Sequence, residues 1–250
     1  MHDDRLAGQI IAITGAASGI GLAVAHACAA AGARLALLDR DGPALERAEA
    51  ALDAEDVLGV VVDIGEPSSV ANAFAAISTR FGALHGLFNN AGVAPVNVSE
   101  RVEDISDATW AFALQVNLTG CFLCCREAMG LIESSGGGSI INNASTAALV
   151  AEPGLEAYSA AKGGVLALTR ALAVSSAHRG VRLNAVCPGL LQTPMTSDIG
   201  SQVVARLQAD TLLEVPGPEA ISGLIVYLLS GESQYMTGSV VVIDGGLTSR

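Results

Sequence analysis

Ile10-Ile-Ala-Ile13-Thr14-Gly15-Ala-Ala-Ser-Gly19-Ile-Gly21 runs from a short apolar stretch into a glycine-rich turn, and positions 22–31 then carry a helical pattern. A brief apolar run closed by a glycine reads as a buried strand. Glycines in the following turn let backbone come close to a phosphate. A helix N-terminus behind them adds free N–H groups and the positive end of the helix dipole. The spacing is G-x-x-x-G-x-G and departs from the common G-x-G-x-x-G fingerprint. On its own such a turn can equally join strand to helix with no ligand. The strand before it and the helix after it favour a phosphate-binding loop.

Downstream the same alternation repeats. Residues 34–38 form a second apolar strand ending at Asp39, 18 positions past Gly21. An acid at that distance can hold a ribose 2′-hydroxyl and repels a 2′-phosphate, which favours NAD over NADP. The adjacent Arg40 softens that preference, and a solvated turn acid is the plainer alternative. A helical stretch at 43–54 precedes strand 57–62, which ends at Asp63. Helix 68–80 follows, then strand 84–88, closing on Asn89-Asn90-Ala91-Gly92. The rest reads as a long helix at 107–133, strand 139–142, helix 155–178, strand 181–186, helix 218–229 and strand 240–243. Strands alternating with helices of this length imply βαβ units. The predicted fold class is α/β, a doubly wound (Rossmann) parallel sheet of about seven strands with helices on both faces. No linker, repeat or low-complexity tract marks a boundary, so all 250 residues are read as one domain.

Hydrophobic residues make up 51% of the chain and charged residues 15%, enough for a sizeable core. The net charge of −12 argues against nucleic acid or an anionic membrane surface as a partner. Charges such as Arg34 and Asp39 interrupt the apolar runs, so no membrane span is expected. The N-terminus, Met1-His-Asp-Asp-Arg5, lacks the apolar core of a signal peptide, and a cytoplasmic enzyme is expected. Of the five cysteines, Cys121 and Cys124 have a redox or zinc spacing, but they fall within the pattern of a long apolar helix. No second Cys/His pair completes a zinc site, so Cys28, Cys121, Cys124, Cys125 and Cys187 read as buried small residues and no metal is expected. His2, His26, His85 and His178 read as structural or surface residues.

Tyr158 and Lys162 lie four positions apart in Tyr158-Ser-Ala-Ala-Lys162, on one face of the helix 155–178. A phenol with a pKa near ~10 is a poor base at neutral pH. A neighbouring ammonium favours the phenolate and is expected to lower that value. The pair is a candidate proton-transfer unit, although any Tyr-x-x-x-Lys on a solvated helix reads the same way.

Over nearly its whole length the chain resembles the short-chain dehydrogenase/reductase family, in its compact single-domain form. Thr14-Gly15-x-x-x-Gly19-Ile20-Gly21 is similar to the family's nucleotide-binding loop, and Asp63 to the acid that contacts adenine. Asn89-Asn90-Ala91-Gly92 is similar to its strand-four motif. Pro188-Gly189 with Thr193 looks like the segment against the nicotinamide, and Asp244-Gly245-Gly246 like the closing strand motif. The resemblance implies that Tyr158 exchanges a proton with the substrate oxygen while a hydride moves between carbon and nicotinamide. Lys162 would lower the Tyr158 pKa and bind the nicotinamide ribose. Ser145, 13 positions before Tyr158, would hold the reacting oxygen, and Asn117 would anchor a water and help place Lys162. The implied cofactor site takes Gly15, Ser18, Gly19, Ile20 and Gly21 from the loop, and Asp39, Arg40, Asp63 and Ile64 from the next strand ends. Asn90, Ala91 and Gly92 continue it, and Tyr158, Lys162, Pro188, Gly189, Leu191 and Thr193 surround the nicotinamide.

The segments these motifs leave free, 94–98, 147–156 and a lid at 190–215, are expected to build the substrate pocket. Asn143, Ser145, Leu149, Glu152, Leu155, Leu191, Gln192 and Met195 are its candidate lining residues. Glu152 and Glu156 have no basic counterpart in their own loop. That favours a neutral, partly hydroxylated or alicyclic substrate over a carboxylate, with solvated loop acids as the plainer account. Val165, Leu166, Leu168, Ala171, Leu172 and Val174 spread apolar surface around helix 155–178, so one face covers the sheet and another needs a partner. The resemblance implies a homo-oligomer, a tetramer; extra cover within the chain is the alternative. The expected function is an NAD-dependent dehydrogenase or reductase of a secondary alcohol or ketone. A 3-oxoacyl carrier reductase using NADPH is disfavoured by Asp39 and Ser18. A non-catalytic NAD-sensing binding protein is disfavoured by the full set Asn117, Ser145, Tyr158 and Lys162.

Overall fold

The apolar run at the start of the chain forms strand β1 (Ile10–Thr14), and all five of its residues are buried. In the computed structural model, which describes residues 4–54, 56–96, 101–198 and 200–249, six further strands join it. His2 and positions 97 and 98 of the expected substrate segment lie outside the described residues, as does position 199 of the lid. The strands are β2 (Arg34–Asp39), β3 (Val57–Val61), β4 (Gly86–Asn89), β5 (Gly138–Asn143), β6 (Val181–Pro188) and β7 (Val240–Ile243). They pair in the order β3-β2-β1-β4-β5-β6-β7, every junction parallel.

Residue alternation sorts side chains to the two faces of this sheet. Ile11 and Ile13 of β1, with Leu35 and Leu37 of β2, enter one core with Val24 and Cys28 of α1 (Gly19–Ala30). Helices α2 (Gly42–Ala51) and, near the C-terminus, Ser222–Leu229 complete that layer through Leu45, Ile225 and Leu229. Ile10, Ala12, Ala36 and Leu38 point the other way, under α3 (Pro67–Phe81), α4 (Asp107–Ser134) and α5 (Glu156–Ser176). Strands buried on both sides are what a doubly wound parallel sheet requires. The sequence order reverses at β1, which has β2 on one side and β4 on the other. Crevices at the carboxyl ends of strands beside such a reversal bind ligands in folds of this kind.

Three elements depart from the sequence expectations. The lid region folds into two short helices, α6 (Pro194–Asp198) and α7 (Ser201–Asp210), before the last helix, α8 (Ser222–Leu229). Pro218 starts a single 3₁₀ turn, Pro218–Ile221, so α8 begins later than the apolar pattern suggests. Within α4, residues Gln115–Gly120 widen into a π-helical stretch. At 28 residues α4 is also long and apolar enough to cross a membrane by length and composition, contrary to the expectation above. The reason is that no charged residue occurs between Asp107 and Arg126. Cys121, Cys124, Cys125, Ala128 and Ile132 of α4 are buried, four of them completely or nearly so, which is the packing of a core helix. All five cysteines are buried and unbridged. His85 is structural: its Nδ1 accepts the Ile10 N–H at 3.0 Å, tying the lower end of the sheet together. His26 and His178 are exposed.

Candidate active site

The carboxyl end of β1 is stapled to that of β4. Thr14 is fully buried, and its Oγ1 accepts the N–H groups of Asn90 at 2.9 Å and Ala91 at 3.0 Å. Asn90 answers by donating Nδ2 to the carbonyls of Thr14 (3.0 Å) and Gly15 (3.3 Å). The turn that follows needs glycine at three points, one of them Gly19 with φ +52°. Gly15 has φ +66°, in the left-handed region. A Cβ on Gly21 would lie 2.0 Å from the Gly15 carbonyl oxygen. The loop thus curls back on itself and presents the start of α1, whose first amides have no partner within the helix. Ser18 precedes α1 and makes no capping bond to it through its side chain, so those amides are left to a ligand.

Asp39 closes β2 beside this loop. Its Oδ2 accepts the Ala17 N–H at 3.0 Å and its Oδ1 that of Asp41 at 3.1 Å, so backbone donors orient the carboxylate. Asp63 is held similarly at the end of the third strand region, its Oδ1 accepting Gly65 N–H at 2.8 Å. Arg40 stands exposed on the rim.

At the ends of β5 and β6 lie the candidate catalytic groups. Tyr158 and Lys162 project from the first turns of α5, with Lys162 4% exposed. The Lys162 ammonium donates to the Asn143 carbonyl at 2.6 Å and sits 5.6 Å from the centre of the Tyr158 ring. Burial holds its pKa down, at about 8, against the pull of Cys121 and Cys187. Burial also pushes the Tyr158 phenol up, the neighbouring Ser145 side chain pulls it back, and Cys187 adds to the rise. In the protein alone, Lys162 is not among the causes acting on the Tyr158 phenol. The lysine is turned toward the Asn143 carbonyl, and desolvation dominates the phenol.

Asn117 lies in the π-helical stretch, 1% exposed. Its Nδ2 donates to the carbonyls of Val93 (2.9 Å) and Ala113 (3.0 Å), and its Oδ1 accepts the Val93 N–H at 3.0 Å. The side chain thereby fixes the chain leaving β4. A Cβ on Gly92 would lie 2.6 Å from Asn117 Oδ1 and 3.5 Å from Lys162 Nζ, so Gly92 is what lets these groups crowd together.

One cleft of about 640 Å³ joins all of this. Gly15, Ser18, Gly19 and Ile20 line one end, with Asp39, Arg40, Asp63 and Ile64 along its side. Asn90, Ala91 and Gly92 form its middle, and Tyr158, Lys162, Pro188, Gly189, Leu191 and Thr193 its inner end. Ser145, Asn143, Glu152, Leu155 and Met195 line the part beyond Tyr158. Gly21 and Asn117 act from behind this lining. Two candidate substrate residues fall outside it. Leu149 turns outward, 44% exposed, and Gln192 donates its Nε2 to the Val215 carbonyl at 2.8 Å, holding the base of the lid. Glu152 does have a basic counterpart, across the fold: Arg206 of α7 donates Nε to its Oε1 at 3.0 Å. Phe112 and Val116 of α4 and Leu247 also line the cleft and were not anticipated. Apolar residues four apart on a helix are ordinary core spacing, so nothing local marked the first two.

The cleft fits a dinucleotide. It has a glycine cradle that any Cβ would fill, a helix start facing the phosphates, an oriented carboxylate where a ribose would lie, and a buried acceptor, Asn143 Oδ1, with no partner.

A family model described as enoyl-(acyl carrier protein) reductase matches residues 15–248. The chain is 37% identical to 2-(S)-hydroxypropyl-CoM dehydrogenase 3 of Xanthobacter autotrophicus, over 98% of this chain and 99% of that one. It is 34% identical to a 3beta-hydroxysteroid dehydrogenase of Mediterraneibacter gnavus, over 96% of this chain and 95% of that one. A crystal structure of a short-chain type dehydrogenase/reductase from Mycobacterium marinum superimposes with a TM-score of 0.93 at 32% identity, covering 99% of each chain.

Proposed function

The chain belongs to the short-chain dehydrogenase/reductase family, and on that premise we propose that it transfers a hydride between NAD(H) and a secondary alcohol or its ketone. The observation that carries this reading is the meeting of Ser145, Tyr158 and Lys162 in one cleft with the glycine cradle. The nicotinamide supplies the hydride acceptor or donor when it is bound. The chain's own residues do the rest. Ser145 holds the reacting oxygen, and the Tyr158 hydroxyl gives that oxygen a proton in reduction or takes one in oxidation. Lys162 sets a positive charge beside the ribose and the phenol, and the short bond to the Asn143 carbonyl steadies it. Asn117 and Gly92 fix the wall behind Lys162.

Preference for NAD is supported by Asp39, whose carboxylate is held at the end of β2 by two backbone donors. A 2′-phosphate there meets a negative charge, with Arg40 as the only offset beside it in sequence. The ion pair between Glu152 and Arg206 leaves the substrate side of the cleft with these charges matched. That supports a neutral, alicyclic or hydroxylated substrate. Exposed apolar side chains on the outer faces of α4 and α5, Trp110, Phe122 and Val174, support a homotetramer. Five unbridged thiols fit a cytoplasmic setting.

The test is reduced-cofactor formation by the purified protein with NAD and with NADP against a panel of secondary alcohols, repeated on Asp39→Ala. Turnover with NAD, and a shift of the variant toward NADP, are expected. A protein that binds NADH tightly yet turns over no alcohol in the panel would favour the sensing alternative. An unchanged cofactor ratio in the variant would remove Asp39 from the account.

A further inference from the structure

Asn143 ends β5 and faces three ways. Its backbone carbonyl takes the Lys162 ammonium at 2.6 Å. Its Nδ2 donates to Asn90 Oδ1 at 2.9 Å. Its Oδ1 is buried and has no hydrogen-bond partner, in a residue that is 8% exposed and lines the cleft.

The orientation of this amide is determined by its neighbours. Asn90 uses Nδ2 on two carbonyls, those of Thr14 and Gly15, and carbonyls accept only. Asn90 must therefore present Oδ1 to Asn143, and Asn143 must present Nδ2 in return. The atom left over is an acceptor. A buried acceptor without a donor is costly to fold, by an amount comparable to a hydrogen bond or more. Such a group in a binding cleft is best explained by a ligand that brings the missing N–H or O–H.

We propose that Asn143 is a dinucleotide-binding residue: its Oδ1 accepts a hydrogen bond from a donor at the nicotinamide-ribose end of the bound cofactor, and its Nδ2 ties that contact through Asn90 to the glycine loop. This rests on the reading of the cleft as an NAD(H) site, and it moves Asn143 from the substrate side to the cofactor side. The same bridge joins the two ends of the dinucleotide site. Thr14 and Gly15 hold Asn90, Asn90 holds Asn143, and the Asn143 backbone holds Lys162. The donor is either an amide N–H of the nicotinamide or a ribose hydroxyl, and both satisfy the same acceptor.

The experiment measures binding of NADH, and separately of ADP, to the full chain by calorimetry, for wild type and Asn143→Leu, a substitution of similar size. NADH is expected to bind about five- to tenfold more weakly to the variant, the loss of one hydrogen bond, with ADP binding unchanged. A parallel series with NAD and its 3-acetylpyridine analogue, which lacks the amide N–H, identifies the donor. If the amide is the donor, the wild-type preference for NAD disappears in the variant; if a hydroxyl is, both ligands weaken alike. Asn143→Ala, which lets water reach Asn90, serves the same measurement if the leucine variant does not fold. NADH binding equal to wild type in a folded variant overturns the proposal, as does an equal loss of ADP binding, which would mean the residue acts only on the loop. A wild-type protein that binds neither NADH nor NADPH overturns the cofactor reading itself.

Discussion

Tyr158 is where burial and hydrogen bonding compete. Burial raises its pKa and the Ser145 contact lowers it, with burial the larger. A phenol held up in this way is protonated at neutral pH, the form that donates to a ketone. Alcohol oxidation needs the deprotonated form, so its kcat/KM is expected to climb through the alkaline range. Ketone reduction should be flat near neutrality and fall as the phenol ionises. Lys162 loses its charge above about 8, which adds curvature to the alkaline side of both profiles. Rate measurements in both directions from roughly pH 6 to 10 check this; an oxidation rate independent of pH would exclude Tyr158 as the proton acceptor. Tyr158→Phe should cost at least about a hundredfold in turnover and leave NADH binding near wild type. The sequence offers this residue as a candidate through the family resemblance, since its spacing to Lys162 alone is shared by any solvated helix. The direction of its pKa was not legible, because desolvation is set by what packs around the phenol and not by the residue four positions on.

Among the elements, the glycine loop is the most tightly specified. Asn90 and Thr14 clamp it from one side, and Gly21 passes so close to Gly15 that a methyl group has no room. Gly21→Ala is expected to destabilise the fold by about 1–3 kcal/mol, in the range of overpacked cores, and to weaken NADH binding. Thermal melts and NADH titration of the variant measure both. Unchanged values in both would mean that the loop does not take this path. Strands β1 to β7 were legible as short apolar runs, since strands buried on both faces show no alternation, and helices α1 to α5 as the longer helical patterns between them. The lid helices were not. The first is five residues long, too short for a period to show, and the second buries only Val203, so both were read simply as part of a lid. The π-helical stretch at Gln115–Gly120 was equally unreadable, and the contact its Asn117 makes, with Val93, is far off in sequence.

At the scale of the whole molecule, the outer faces of α4 and α5 carry exposed apolar side chains. Val174 is 83% exposed, and Trp110 and Phe122 are each more than two-fifths exposed. A double substitution, Phe122→Glu with Val174→Glu, is expected to shift the protein to a smaller species in analytical ultracentrifugation, with unchanged circular dichroism. A wild-type protein that sediments as a monomer would exclude the tetramer. Apolar residues all round α5 gave notice of this surface, but not which of them stay bare, since that depends on where α4 settles.

The hydrogen bonds that position the candidate proton-transfer groups run from strand ends, Thr14, Asn90 and Asn143, to Lys162 of α5. Those that hold the lid run elsewhere, from Gln192 to Val215, from Leu212 to Gly245 and from Arg206 to Glu152. The two sets share no residue, so a change in the lid leaves the hydrogen bonds at the strand ends in place. Relatives about a third identical to this chain bear names as different as a hydroxypropyl-CoM dehydrogenase and a hydroxysteroid dehydrogenase.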